Sequence, residues 1–224
     1  MTQARTPLPF PTMRVLQKPE KAAAMTRQRR RIGLLGGSFN PAHAGHRWIS
    51  TQALARLSLD EVWWLISPQN PHKGSEGMRP FADRVKAAQE VADHPRILVS
   101  DLEDRLGTIR THATLARLRR RLPGTRLVWL MGGDLPASIH LWEHWRRIFR
   151  TTGIAVLARP PYARPALTSM AFRRYRMARV RSAASVTLAS RRPPAWTYLE
   201  GRRHPASGTA LRAQRRPAVS PDHL

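Results

Sequence analysis

The sequence predicts an α/β fold built on a doubly wound parallel sheet, in one domain with a small C-terminal helical segment. Three observations lead to this prediction. Short apolar runs alternate with helical segments, two of these runs end in a glycine pair, and 224 residues suffice for one domain with appendages. Strands that are apolar on both sides favour a parallel sheet covered by helices on both faces.

The first strand is predicted at Ile32–Leu35, immediately before Gly36 and Gly37. Four more short apolar runs are predicted strands: Val62–Ile66, Ile97–Val99, Leu127–Met131 and Ile154–Leu157. Helical patterns lie between them: Ala44–Leu57, Phe81–Ala92, Thr111–Leu122 and Trp142–Phe149. We expect Ile32–Leu35 at the centre of the sheet, between Val62–Ile66 and Leu127–Met131.

The alternation of short apolar runs and helical segments weakens after Pro161. There the sequence predicts a helix within Ala166–Arg179, a short strand at Val186–Leu188 and a helical turn at Thr209–Gln214. Residues 1–30 are rich in proline and arginine and are expected to form a disordered basic extension. The folded domain is therefore predicted to span residues 31–216, followed by a tail over 217–224.

Charge and cysteine content narrow the function classes. The net charge is +25, and residues 159–216 hold 14 basic residues and one acidic residue. A polyanion-binding surface and the coding bias of a GC-rich genome explain this excess equally well. The absence of cysteine excludes disulfides, thiolate metal sites and cysteine nucleophiles. With no membrane-length apolar run and no signal-like N-terminus, a cytoplasmic protein is expected.

The segment Gly36–His46, with the letters GGSFNPAHAGH, carries the clearest chemistry. The glycines allow backbone N–H groups to approach an anion, and the helix that follows adds the positive end of its dipole. His43 and His46 are three residues apart, and so share one face of that helix at its first turn. Two imidazoles beside an anion-binding turn suit a triphosphate, whereas a plain strand–helix corner would need neither histidine.

This string closely resembles the GG-(S/T)-F-(D/N)-P-x-H-x-G-H element of the nucleotidylyltransferase superfamily. Further segments resemble the bacterial nicotinate-mononucleotide adenylyltransferases in particular: Trp64–Lys73, Leu106–Leu115, Met131–Asp134, Trp142–Arg146 and Ala206–Arg212. The resemblance extends from about Arg31 to Arg212 and implies a Rossmann-like fold. It also implies transfer of the adenylyl group of ATP to nicotinate mononucleotide, with Mg²⁺ accompanying the phosphates and no covalent enzyme intermediate.

On the ATP side, the resemblance implies that His43 and His46 hold the phosphates, with His46 nearest the reacting phosphorus. It implies catalytic roles for Lys73 and Arg212 as well. The remaining ATP-binding residues it implies are Gly36, Gly37, Ser38, Phe39, Asp134, Ser207 and Thr209.

On the acceptor side, the resemblance implies that six residues bind nicotinate mononucleotide: Ser38, Lys73, Thr111, Thr114, Trp142 and Trp145. Each has an ordinary structural alternative. The threonines could cap a helix, and the two tryptophans, three residues apart, could pack into the core from one helical face. Ser38 could stabilise its turn, and Lys73 could be a solvated loop residue.

Some positions depart from the family pattern. Gly208 stands where the family usually has serine, Gly133 and Pro136 flank Asp134 in place of commoner residues, and His112 and Ala113 do the same after Thr111. None of these changes removes a charged group or an imidazole, so they affect expected rate and affinity more than reaction class.

Two other functions remain open at this stage. The chain could transfer an adenylyl or cytidylyl group to a different phosphate acceptor, such as phosphopantetheine. Alternatively, it could be a basic nucleic-acid-binding protein, although no recognition motif accompanies its charge. Weak, non-specific nucleic-acid binding is expected in either case, and the chain could be a monomer or a homo-oligomer.

Overall fold

The computed structural model describes residues 29–68, 78–158 and 168–201. Several sequence predictions fall outside these ranges. They are the basic extension, the C-terminal tail, the turn at Thr209–Gln214, and the site residues Lys73, Ser207, Thr209 and Arg212.

Seven parallel strands form one sheet in the order β3-β2-β1-β4-β5-β7-β6. Their bounds are β1 Arg31–Gly37, β2 Glu61–Ile66, β3 Ile97–Ser100, β4 Arg126–Gly132, β5 Gly153–Ala158, β6 Arg179–Val180 and β7 Trp196–Glu200. The predicted fold class is confirmed. The central strand also lies between the two predicted neighbours, with Leu35 paired to Trp64 on one side and to Leu130 on the other.

Six described α-helices cover the sheet: α1 Ala44–Arg56, α2 Phe81–Ala92, α3 Leu102–Arg105, α4 Thr111–Arg121, α5 Trp145–Thr151 and α6 Met170–Arg174. Short 3-10 segments lie at Leu135–Ala137, Ile139–Leu141, Arg176–Ala178 and Ser182–Ser190. No helix in the described part of the chain has the length and apolar character needed to cross a membrane.

Helices cover both faces because alternate residues of each strand point to opposite sides. In β2, Trp63 packs with the α4–α6 side of the sheet, whereas its neighbour Trp64 packs with α1 and α2. Each face therefore has its own apolar core. The doubly wound arrangement follows from strands that are apolar at every position.

The C-terminal part differs from the sequence prediction. Val186–Leu188 is not a strand, because Ser182–Ser190 forms a 3-10 segment whose Leu188 is fully buried under the sheet. The strand of this region is β7, which follows Pro193 and Pro194 and pairs with β5. A proline pair is a turn signal, so the pattern concealed this strand.

Strand order reverses between β1 and β4, because β1 continues to β2 on one side and β4 continues to β5 on the other. Crevices beyond the carboxyl ends of the strands at such a switch point are where doubly wound sheets bind ligands. The segment Gly36–His46 follows β1, and Asp134 follows β4. The fold therefore brings two of the predicted site segments to the expected place.

Candidate active site

Two glycines end β1 for different reasons. A Cβ at Gly36 would lie 2.4 Å from a ring carbon of Trp129, so the packing of that indole requires glycine. The atoms nearest to a Cβ at Gly37 would all belong to Phe39, the first of them a ring carbon at an ordinary 3.5 Å. Packing within the protein does not require Gly37 to be glycine, which fits a position where an anion approaches the backbone closely.

His43 and His46 cap the N-terminus of α1 reciprocally. Gly45 N–H donates to Nδ1 of His43 at 3.1 Å, and His43 N–H donates to Nδ1 of His46 at 3.2 Å. Because each Nδ1 accepts a hydrogen bond, the proton of each neutral imidazole lies on Nε2. The backbone thus sets the tautomer of both rings, so that each Nε2–H is a donor at the positive end of a 13-residue helix.

Aromatic packing holds the second imidazole in place. The Phe39 ring lies 4.5 Å from the His46 ring and 5.1 Å from the Trp64 ring, measured between centroids. The Trp64 indole N–H donates to the Ser50 hydroxyl, which donates to the His46 carbonyl. The Phe39 side chain is buried and its ring supports His46, while the predicted contact of Phe39 with ATP stays a prediction.

Arg84 is a buried cation beneath the same loop. Its guanidinium donates to the carbonyls of Ser38, Ser67 and Pro68 at 2.7, 2.8 and 2.9 Å, and its Nε donates to the carbonyl of Arg79 at 3.0 Å. Burial lowers the pKa of Arg84, yet a guanidinium keeps its proton in proteins. Arg84 therefore joins the segments that follow β1 and β2 to the start of α2.

A buried carboxyl group lies behind the start of α4. The Thr114 hydroxyl donates to Oε1 of Glu103 at 3.1 Å and lies 2.9 Å from the Thr108 hydroxyl. Desolvation raises the pKa of Glu103 to about 7, opposed by its hydrogen bonds with Thr114 and Ser67. Thr114 is fully buried and its hydroxyl belongs to this polar cluster, while its predicted contact with the mononucleotide stays a prediction.

Trp142 and Trp145, both predicted to bind the mononucleotide, lie on different elements and contact different rings. Trp142 has an extended backbone and precedes α5, so it does not share a helical face with Trp145, the first residue of that helix. The Trp142 ring meets Trp129 edge to face at 6.5 Å, and Trp129 covers Gly36. This chain of contacts connects Trp142 to the end of β1.

Trp145 packs instead with the rings of Phe149 and Tyr175, at 5.9 and 6.1 Å. These rings belong to the core on the α4–α6 side of the sheet. The contacts therefore favour the packing alternative for Trp145, while its assignment to the mononucleotide site stays a prediction.

Thr111 and His112 begin α4, and both side chains are half-buried. Burial and the neighbouring His144 lower the pKa of His112, against the opposing effect of Glu143, so the neutral imidazole is favoured. Thr111 keeps its predicted place at the N-terminus of a helix, where backbone N–H groups accompany its hydroxyl.

Asp134 lies beside the end of β4 and close to α1. Its Oδ1 would be 2.7 Å from a Cβ at Gly132, and the Ile49 side chain of α1 would be 3.6 Å from the same point. Asp134 is exposed. The carboxylate therefore lies directly against the backbone at the end of β4, at the switch point that the α1 histidines also occupy.

Sequence reasoning missed several residues that support the site. They are Arg84, Ser50, Trp64, Glu103 and Thr108. One signal was present: Phe81, Arg84, Val85 and Ala88 recur at helical spacing, which puts an arginine on the buried face of α2. The other contacts join residues that no local pattern connects.

Similarity to known proteins agrees with this geometry. The profile of the family described as cytidylyltransferase-like matches residues 34–214. A curated relative from Cereibacter sphaeroides, named "Probable nicotinate-nucleotide adenylyltransferase", is 50% identical over 182 residues, 81% of this chain and 96% of the relative. A relative of the same name from Caulobacter sp. is 48% identical over 184 residues, 82% of this chain and 97% of the relative.

A solved structure shares the fold at low identity. It is that of Plasmodium falciparum nicotinic acid mononucleotide adenylyltransferase complexed with NaAD, with a TM-score of 0.58, 15% identity, and coverage of 81% of this chain and 78% of that one. The family match and the close relatives together decide the membership. The chain belongs to the cytidylyltransferase-like family, within its group of nicotinate-nucleotide adenylyltransferases.

Proposed function

We propose that this chain transfers the adenylyl group of ATP to nicotinate mononucleotide, giving nicotinate adenine dinucleotide and pyrophosphate, a step of NAD biosynthesis. The observation that carries the proposal is the reciprocal cap of His43 and His46, whose Nε2–H donors lie where the sheet reverses its strand order. The two relatives named for this activity align with the chain over almost all of their own length.

The reaction is a displacement at phosphorus. An oxygen of the mononucleotide phosphate bonds to the α-phosphorus of ATP, and the bond from that phosphorus to the α,β-bridging oxygen breaks, so the electron pair leaves with pyrophosphate. The attacking oxygen is already ionised, so no general base is needed. Positioning and charge stabilisation suffice, and the imidazole donors and the N-terminus of α1 supply both.

Mg²⁺ fits this scheme as a companion of ATP. Around the loop after β1, the described residues offer imidazoles and backbone N–H groups, with Asp134 as a neighbouring carboxylate. We propose that the phosphates themselves hold the ion, since Mg²⁺ keeps few protein ligands in such sites. When bound, it neutralises charge on the phosphates.

The acceptor side rests on Trp142 and the start of α4. Trp142 provides an aromatic face for the pyridine ring, and Thr111 with neighbouring backbone N–H groups provides donors for the nicotinate carboxylate. Lys73, Ser207, Thr209 and Arg212 complete the phosphate site in the proposal through the family resemblance alone.

The test is an assay of purified protein with ATP or CTP and a panel of acceptors: nicotinate mononucleotide, nicotinamide mononucleotide and phosphopantetheine. Product is identified by chromatography, and pyrophosphate release gives the rate. We expect ATP with nicotinate mononucleotide to give the highest kcat/KM. A clear preference for CTP or for phosphopantetheine would reject the assignment in favour of another acceptor.

Weak polyanion binding is a second proposal. Arg119, Arg120 and Arg121 end α4 and are exposed, beside exposed Arg146 and Arg150 of α5. We expect non-specific, salt-dependent binding of RNA or DNA to this face. A fluorescence titration of a labelled oligonucleotide at two salt concentrations measures it, and salt-independent binding would argue against an electrostatic origin.

A further inference from the structure

Three ligand-type side chains meet outside the phosphate loop. His112 lies in the first turn of α4, while Glu143 and His144 immediately precede α5. One donor atom from each lies within 4.8 Å of the others. Nε2 of His112 and Nε2 of His144 lie 3.9 and 3.7 Å from Oε1 of Glu143, and the two rings meet edge to face at 4.6 Å.

These distances are close to those of a filled metal site. Ligand atoms about 2.0–2.1 Å from a tetrahedral zinc ion lie about 3.3 Å from one another. The two nitrogen–oxygen distances exceed this value by about half an ångström, and the two imidazole donor atoms lie within 4.8 Å of each other. Small side-chain rotations close such a gap, since the flanking side chains are part-exposed and no backbone has to move.

Two further features single out this cluster. Nδ1 of His112 is buried and makes no hydrogen bond of ordinary geometry within the described residues, although the Glu143 backbone interacts with this imidazole. His144 has a φ of 49°, in the left-handed region that favours glycine. Non-glycine residues held in that region concentrate at ligand sites, where another interaction compensates for the strain.

We propose that His112, Glu143 and His144 bind one divalent transition-metal ion of the zinc class, with water as the fourth ligand. Imidazole nitrogens and a carboxylate oxygen are a donor set that zinc accepts. Oε1 of Glu143 faces the two rings, while Oε2 is 2.7 Å from Nη1 of Arg110. Arg110 thus orients the carboxylate, as outer partners do in metal sites, but its charge opposes the cation and moderates affinity.

The site would couple two segments. A metal ion on these ligands fastens the start of α4 to the stretch before α5, and Thr111 and Trp142 lie on the same two segments. This consequence, unlike the binding itself, rests on the proposed function. A bound ion should hold the two acceptor-side residues at a constant separation and lower the KM for the mononucleotide without changing the KM for ATP.

The experiment titrates Zn²⁺ into the full, untagged, metal-free chain by calorimetry, without substrates, and repeats the titration with Co²⁺, whose visible absorption reports tetrahedral coordination. We expect saturable binding to one site that depends on the cluster. His112→Ala and Glu143→Gln should each weaken it at least tenfold. His94→Ala, a surface histidine outside the cluster, is the matched control and should bind as the parent does.

Two variants separate ligation from folding. His144→Gly removes a ligand and relieves the left-handed backbone, so the metal-free variant should melt at or above the parent's temperature while losing the rise in Tm that Zn²⁺ causes. Arg110→Gln removes the opposing charge and should tighten binding several-fold.

Absence of saturable Zn²⁺ binding, or binding that survives both His112→Ala and His144→Gly, would overturn the site. An unchanged mononucleotide KM in the zinc-loaded enzyme would overturn the coupling alone.

Discussion

Nη1 of Arg84 donates a hydrogen bond to the carbonyl of Ser38, 46 residues earlier in the chain, at 2.7 Å. The other guanidinium bonds reach Ser67, Pro68 and Arg79, so one buried cation fixes the loop after β1 against the loop after β2 and the start of α2. A catalytic loop that must hold two imidazoles in one geometry gains rigidity from such a partner, because positioning is most of what this reaction requires.

Arg84→Met should therefore lower both stability and rate. Methionine keeps much of the volume but leaves four carbonyls without their donor, which should cost about 3 kcal/mol of unfolding free energy. Loss of the loop geometry should lower kcat more than it raises the KM for ATP. Arg84→Lys, which restores the charge and some donors, should recover part of the rate.

Urea unfolding and steady-state kinetics measure these effects. Lys86→Ala, at an exposed position two residues away on the same helix, is the matched control and should be nearly silent. A kcat near the parent value for Arg84→Met, in a variant that is clearly destabilised, would show that Arg84 acts on stability alone.

His46 can be tested with a pair of variants. His46→Ala removes the Nε2–H donor and should lower kcat by about 10²–10³. His46→Glu keeps an acceptor for the His43 N–H at the third helical position, as capping boxes do, and adds a negative charge that suits a helix N-terminus. It should be at least as stable as His46→Ala and even less active, because a carboxylate repels the phosphates.

Thermal melting and pyrophosphate release, measured on the same preparations, distinguish capping from catalysis. His43→Ala should lose rate as well, with more of the effect in the KM for ATP. If His46→Ala retained more than about a third of the parent kcat, this imidazole would not be the transition-state donor.

Glu103 predicts a pH dependence of stability. Its folded-state pKa of about 7 lies above the ordinary value of 4.5, so between these values the folded state binds more protons than the unfolded state. Its contribution is therefore fully present below about pH 4.5 and is lost as the pH rises through about 7. Glu103→Gln removes this titration. The variant should gain on the order of 2 kcal/mol relative to the parent between pH 5 and pH 8.

Chemical denaturation at the two pH values measures the difference. Glu90→Gln, at an exposed position on α2, is the control. It should leave the change in unfolding free energy with pH as it is in the parent. Parallel stability curves for Glu103→Gln and the parent would contradict the burial argument.

Trp142 should contact the mononucleotide, whereas Trp145 should contribute mainly to packing. Trp142→Ala should raise the KM for the mononucleotide with a small loss of stability, because its ring packs on Trp129 of β4, which covers Gly36 at the end of β1. Trp145→Ala should leave that KM nearly unchanged and cost about 2 kcal/mol, less than a fully buried aromatic ring would, since Trp145 is half-buried. Steady-state kinetics and denaturant midpoints are measured for both variants. A large rise in the mononucleotide KM for Trp145→Ala, with a mainly structural effect for Trp142→Ala, would contradict these assignments.

The acceptor site should prefer nicotinate to nicotinamide mononucleotide. In the proposed site, backbone N–H groups and Thr111 at the start of α4 are the donors for the nicotinate carboxylate, and such donors cannot satisfy the amide NH₂. We expect kcat/KM for nicotinate mononucleotide to exceed that for nicotinamide mononucleotide by at least about tenfold, measured at saturating ATP. Equal values would indicate a dual-specificity enzyme.

Local features of the chain were enough for most of the architecture. The bounds predicted for α2 agree with the structure, and the bounds of the first five strands differ by at most two residues at either end, since strand and helix periods are properties of neighbouring side chains. The Gly36–His46 string likewise predicted a strand, a glycine turn and a helix start, which the structure confirms as the end of β1 and the capped start of α1. α3 was missed, since four residues carry too little periodicity, and β7 was concealed by its prolines.

What these residues do depended on partners distant in the chain. The Thr114 hydroxyl bonds to Glu103, Trp145 packs on Phe149 while Trp142 packs on Trp129, and Arg84 bonds to a loop 46 residues away. Periodicity tells which side chains share a face, but burial and hydrogen bonding depend on what packs opposite that face. Only the closed sheet with its two helical layers brings those groups together, and so decides which polar residues support the site and which are offered to a substrate.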